Sequence, residues 1–246
     1  RVFFPSFVSL AGISAKIDIN NPDWTYTFND PEDMAAYHRF MWLYRFIMEN
    51  ITHMGNKDTM FKISVDVIHS WIANVGSKSI KELHSEIWQP YTVSERIVNW
   101  LTVLGLLTES ELDNPVIIES LINQANYLQY NLEYWGEMFT GNHLTNNGRA
   151  LYTVGSMLDI EYFRNIGRTI VTNEYKRVVF PPGFLREGSS HYQFLYTKWY
   201  ADLFWISRAN GDLEFSEWIR PRLRALAECA DFFVVETPEN EVNMPF

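Results

Sequence analysis

From residue 31 onward, apolar positions recur at three- and four-residue intervals, the spacing of one buried helix face. Asp30-Pro31-Glu32-Asp33 reads as a helix start, with a side-chain cap, proline at the first helical position and acids in the first turn. Phe40, Leu43, Tyr44 and Ile47 follow at helical spacing, and the helix is predicted to end near Gly55. A second helix is predicted over Met60–Val75, with Phe61, Val65, Ile68 and Ile72 inward and Gly76-Ser77 as its stop. After a turn around Pro90, a third spans Thr92–Leu106 with Trp100 and Leu101 inward. Further helices are predicted over Asn114–Tyr134, Asn146–Met157, Glu161–Glu174, Ser190–Ala209 and Phe215–Phe233. Residues 1–30 carry few helical cues, mixing aromatics, Pro5, Pro22 and Asn-rich turns, and read as an irregular N-terminal segment. Strand-type alternation is nearly absent, and only the apolar run Lys176–Phe180 suggests an extended segment or loop wall.

This pattern gives an all-α protein. Helical hairpins arranged in an (α/α) toroid suit it, and a simple bundle or a solenoid suits it almost as well, because periodicity does not set topology. No fixed-period repeat of the tetratricopeptide or armadillo kind is present.

With 47% hydrophobic residues the chain buries a sizeable core. Aromatics reach 16%, which serves helix packing and also offers faces on which sugar rings stack. A net charge of −10 argues against a nucleic-acid partner, and a polyanionic substrate would need local basic groups. The single cysteine, Cys229, excludes an internal disulfide and a cysteine-rich metal site. The six histidines (His38, His53, His69, His84, His143 and His191) lack ligand-type spacing, so no metal is expected in this chain. No apolar run approaches the roughly 20 residues that span a bilayer. The chain begins at Arg1 rather than Met and shows no signal peptide, which leaves periplasm and cytoplasm both open.

Two segments concentrate the chemistry. The stretch from Asn131 to Leu151 joins one helix to the next and packs Asn142, His143, Asn146, Asn147 and Arg149 densely. Asn146 and Asn147 suit ordinary capping. Asn142-His143, following a glycine at a helix mouth, form a ready site for an anion. Trp135 lies in the same stretch and joins the substrate-binding candidates. The loop Pro181–Gln193 then brings Glu187, His191 and Tyr192 to the mouth of another helix. Glu133, Glu137 and Glu187 are available to a glycoside hydrolase but give no clear pair of flanking carboxylates.

Both segments resemble signatures of the heparinase II/III-like polysaccharide lyases, which include heparinase III and oligoalginate lyases. The first is similar to "N-L-E … G-N-H-L … N-G-R-A-L", and the second to "E-x-S-x-x-Y", with Glu187, Ser189 and Tyr192 in matching places. Trp24–Arg39 resembles "W … F-x-D-P-E … R", and Pro90–Trp100 resembles "P-Y … R-I-x-N-W". The likeness therefore runs in order along most of the chain. It implies β-elimination on an acidic polysaccharide or oligosaccharide containing uronate. Tyr192 would be the acid/base, Asn142 and His143 would neutralise the uronate carboxylate, and Arg149, Glu187, His191, Asn146 and Trp135 would contact substrate. Arg149, Arg186 and His191 are the candidates for favouring an ionised Tyr192. Periplasmic or secreted localisation is also implied.

The chain departs from the family at two places. Some members carry an acid three residues after the motif histidine, where this chain has Asn146, and some follow the tyrosine with histidine, where it has Gln193. These departures motivate a second reading, a non-catalytic glycan-binding or capsule-assembly protein on the lyase scaffold. The run Thr237–Phe246 resembles the family connection "P-D-G-x-I-P-x-F". In the family that connection precedes the last toroid helices and a large β-sandwich, which holds a further catalytic histidine and can hold a metal. The expectation is thus a truncated toroid over residues 31–246, no cofactor in this chain, and the β-sandwich as its partner.

Overall fold

The computed structural model describes residues 5–54, 57–78, 83–107, 113–236 and 242–243. Contacts divide the chain into two units, residues 1–132 and 133–246. Helices dominate both, as the periodicity predicts.

The first unit opens with a hairpin, β1 (Pro5–Ser9) paired antiparallel with β2 (Ser14–Asp18), Ser9 opposite Ser14. This differs from the irregular segment expected there. Only Ile17 of β2 is buried, so the short strand writes almost no alternation into the sequence. The helix start at Asp30 forms as predicted: its side chain accepts from the Glu32 N–H at 2.8 Å and Pro31 opens α1 (Pro31–Arg39). The predicted long helix then breaks. Phe40 takes a left-handed φ of 65° before α2 (Met41–Met54), a conformation unfavourable for a bulky residue. Its fully buried ring lies among Trp24, Trp42, Trp71 and Trp100, and that packing offsets the strain. Gly55, the expected stop, lies outside the described residues.

Next come α3 (Lys57–Trp71), a π-helical turn at Ile72–Gly76, α4 (Ser85–Trp88), α5 (Pro90–Leu107) and α6 (Pro115–Tyr130). α5 is buried on nearly every face and packs against α1, α2, α3 and α6. Its Arg96 is wholly buried. Nε of Arg96 donates to Gln124 Oε1 at 2.7 Å, and Nη1 to the carbonyls of His38 (3.2 Å) and Ile87 (3.0 Å). The guanidinium sits 4.3 Å over the Trp71 ring. The Trp71 indole N–H donates to His38 Nδ1 at 2.9 Å.

The second unit is two helical hairpins, α7 (Asn142–Met157) with α8 (Glu161–Val178), and α9 (Ser190–Ala209) with α10 (Leu213–Asp231). α8 runs through Val178, so most of the predicted extended run is helical, and only Val179–Phe180 (β3) pairs, with Phe184–Leu185 (β4). A last short pair joins β5 (Val235–Glu236) to β6 (Val242–Asn243); the remainder of the motif run Thr237–Phe246 lies outside the described residues. α7 and α8 meet at backbone distance. A Cβ on Gly167 would stand 2.2 Å from Tyr152 N, and one on Gly148 2.6 Å from Ile170 Cγ2. The glycine of the "N-G-R-A-L" motif therefore serves helix packing. α7 also lies beside α9 and runs in the same direction. Thr145 Oγ1 and Tyr196 OH are 3.0 Å apart, and one turn further along Arg149 lies 5.0 Å over the Trp199 ring.

Candidate active site

Because α7 and α9 run side by side in the same direction, their N-terminal turns lie at one end of the unit. Tyr192 precedes Tyr196 by one turn on the same face of α9, and Asn142 precedes Thr145 by almost one turn on α7. The loops leading into these helices bind each other. Arg186 donates to the Thr140 carbonyl at 2.9 Å, and Glu187 Oε1 lies 3.6 Å from where a Gly141 Cβ would be. The two segments singled out in the sequence thus form one cluster. Ser189 caps α9 with its hydroxyl toward the Tyr192 N–H, so the turn that carries Tyr192 is fixed from below.

His143 is the best-defined group here. Its Nδ1 lies 2.8 Å from Glu133 Oε1, with a third of the His143 side chain exposed and Glu133 almost fully buried. Asn147 completes the arrangement: its Nδ2 donates to Glu133 Oε2 at 3.2 Å, while its Oδ1 accepts the Glu133 N–H at 3.0 Å. Trp135, exposed at 58%, stands with its ring centre 6.1 Å from that of His143.

The loop carrying these groups is clamped from outside. Arg177 donates to the carbonyls of Glu137 (2.8 Å) and Thr140 (2.7 Å), and Arg186 reaches the same two. Arg177 is itself held by Glu174 through both nitrogens of its fork. Buried Thr140 accepts the Trp135 N–H at 2.9 Å.

The other sequence candidates divide. Asn142 is buried at the first position of α7, His191 is exposed with its ring 5.3 Å from Tyr192, and Glu187 is exposed. Arg149 and Asn146 point inward instead. Arg149 donates to Asn146 Oδ1 at 3.0 Å, faces Asp202 at 3.4 Å and covers Trp199. Both are essentially unexposed, so their contacts are with the protein interior. Gln193 is likewise buried. It accepts the Leu185 N–H at 3.1 Å and donates to the carbonyls of Gly183 and Leu226 at 3.0 Å each, tying the β3–β4 turn to α9 and α10. Both departures from the family pattern therefore fall on packing residues.

Sequence reasoning missed Arg177 and the partnership of Glu133 with His143. Glu133 figured as a hydrolase carboxylate and as the glutamate of the N-L-E signature, without a partner, and its engagement by two donors does not suit the hydrolase task. No group of three or more His, Cys, Asp or Glu among the described residues could hold a metal ion.

The family described as heparinase II/III N-terminus matches residues 3–224. The chain belongs to that family. No curated protein matches it. Among solved structures it is similar to heparinase III, with a TM-score of 0.66 at 22% identity, covering 87% of this chain and 33% of that one. Heparan sulfate lyase HepC from Pedobacter heparinus is similar with a TM-score of 0.62 at 17% identity, covering 94% of this chain and 36% of that one. The chain thus spans about a third of the length of the heparinase structures it matches. The helical toroid fold expected from the resemblance is the one these structures share with it. No helix among the described residues is long and apolar enough to cross a membrane.

Proposed function

We propose that this chain carries part of the catalytic site of a periplasmic or secreted lyase that cleaves uronate-containing glycans by β-elimination. The observation that carries the proposal is the meeting of the α7 and α9 starts, which gathers Asn142, His143 and Tyr192 at one end of a helical unit. Asn142 and His143 hold the uronate carboxylate. Donors aimed there stabilise the charge that develops when the neighbouring C5 proton leaves. Tyr192 takes that proton, the C5–H electron pair forms the C4–C5 double bond, and the C4–O bond breaks. Tyr192, now carrying that proton, delivers it to the leaving glycosidic oxygen, which departs as a hydroxyl, and the new non-reducing end is an unsaturated uronate. An unperturbed tyrosine titrates near 10, so a base role calls for nearby positive charge. Arg186, on the loop that leads to α9, and His191, next to Tyr192 in the chain, are the candidates to supply it, whereas Arg149 faces Asp202. Trp135 offers a face for a sugar ring.

The test is incubation of the full-length protein with heparan sulfate, alginate and hyaluronan while following the ultraviolet absorbance of the unsaturated product. Heparan sulfate comes first, because similar structures bear its name. Tyr192→Phe should lower turnover by about 100-fold or more, the scale of a lost general acid/base. Product formation unchanged by Tyr192→Phe, or none on any polymer, sinks the reading. Tight binding of an acidic glycan without product would instead favour the non-catalytic alternative.

A further inference from the structure

We infer that Glu133 is a positioning residue that fixes which nitrogen of His143 carries the proton. The inference deepens the lyase reading and rests on it for its catalytic meaning.

The argument begins at a backbone N–H. The Glu133 N–H donates to one end of the Asn147 side chain, 3.0 Å away, so that end is the carbonyl oxygen. The other end of Asn147, 3.2 Å from Glu133 Oε2, is then the NH2 group and must donate. The carboxylate can only accept. Its second oxygen, 2.8 Å from His143 Nδ1, therefore requires that Nδ1 carry a hydrogen. Neutral His143 is consequently protonated on Nδ1 and presents a lone pair at Nε2. A ring in this form donates to a uronate carboxylate from Nε2 only after taking a second proton, as an imidazolium. Glu133, itself almost fully buried, is the anion beside that cation.

This chain of donors and acceptors also predicts what a neutral isostere does. In Glu133→Gln the new side chain must still accept from Asn147 Nδ2, which turns its own NH2 toward His143 Nδ1. Nδ1 must then accept, and the proton moves to Nε2.

The experiment is nitrogen-15 spectroscopy of the histidine-labelled full chain at mildly alkaline pH, with His143 assigned by the signals lost in His143→Asn. The wild-type ring should be Nδ1-protonated, Glu133→Gln should convert it to the Nε2-protonated form, and Glu133→Asp should keep the wild-type form. On the lyase assay Glu133→Gln should lower kcat/KM by about 10- to 100-fold, the range for a group that orients a catalytic ligand. Glu133→Asp should recover part of this. An Nε2-protonated ring in the wild type, or an unchanged ring in Glu133→Gln, overturns the inference, and the wild-type spectrum decides even where a variant does not fold. An Nδ1-protonated ring in a protein with no lyase activity upholds the assignment and removes the lyase reading alone.

Discussion

Each unit contains a histidine engaged through Nδ1, and the two are arranged in opposite senses. In the first unit an indole N–H donates to His38, so the ring keeps its proton on Nε2. In the second a carboxylate faces His143. His38 has no exposed surface, and burial first, then the Arg96 charge, pulls it down to about 3. It stays neutral and acts as a packing element between Trp71 and the α5 arginine. His143 is a third exposed, beside an open aromatic ring. A histidine that accepts from an indole in sealed surroundings serves packing. One that faces a carboxylate and keeps a third of its side chain in solvent can meet a ligand. The residue type is the same, and the partner decides between architecture and chemistry.

The sealed network tolerates incomplete bonding. His38 Nε2, Arg96 Nη2, Trp88 Nε1 and Trp100 Nε1 are all buried without a hydrogen-bond partner. Arg96 satisfies three acceptors, so its loss should break this side of the comparison most severely. Arg96→Met would leave Gln124 Oε1 and the carbonyls of His38 and Ile87 without a donor. At about 1–3 kcal/mol for each of the three stranded groups, the expected loss is about 3–9 kcal/mol, read as a lower urea midpoint at constant slope. A neutral or stabilising result would show that apolar packing replaces the buried charge, as it does in some proteins.

Gln193→His is the next largest. It installs the residue that some relatives carry after the tyrosine, at a site where the glutamine amide joins three backbone groups. We expect a loss of about 2–3 kcal/mol and no gain in lyase rate. Faster turnover would mean that the position faces substrate after all.

His38 gives the pH signature of the sealed side. Its folded value of about 3 lies below the ordinary 6.5, so between those values the unfolded chain binds a proton that the folded chain does not. Stability is full above 6.5 and falls as the pH drops through this window. At about 1.4 kcal/mol per pH unit, roughly 2 kcal/mol should go between pH 6.5 and 5. His38→Asn, which keeps an acceptor near the Trp71 indole, should flatten that slope in thermal unfolding. An unchanged slope would move the effect to other groups.

The sequence made the helices legible because their apolar stripes repeat over many turns, and the caps at Asp30 and Asn114 mark starts that the structure keeps. The break at Phe40 was not legible. Nothing in the local pattern distinguishes a buried left-handed phenylalanine from a helical one, and three of the four tryptophans around it, Trp24, Trp71 and Trp100, are distant in sequence. The same holds for the site. Asn142, His143 and Tyr192 stood out as polar groups at helix mouths, where periodicity fixes a position. Glu133 and the Arg177 clamp act through a loop from Glu133 to Gly141, which has no period to phase it. Their partners, ten to some forty residues away, appear only when the chain is folded. Asn146 and Arg149 show the converse: the sequence marks them as polar but not that they are buried, with Arg149 bonded to Asn146 Oδ1 and facing Asp202.

The smallest expected effect sharpens the exposed side. Trp135 has the bulk of the first unit's core tryptophans but more than half its surface in water, so its removal should cost the fold little. Its backbone N–H is held by Thr140, and the two arginine clamps fix the loop through carbonyls, none of which depends on the indole. Trp135→Ala should therefore change stability by less than about 0.5 kcal/mol. A sugar ring stacked on the indole gains about 0.5–1.5 kcal/mol from the contact, so KM should rise by about 3- to 10-fold while kcat moves little. That split is what a face binding substrate and transition state alike produces. Trp135→Phe should recover part of the affinity. A fall in kcat at constant KM would instead place the indole in the chemistry, through its neighbour His143, and would draw Trp135 into the same network that Glu133 orients.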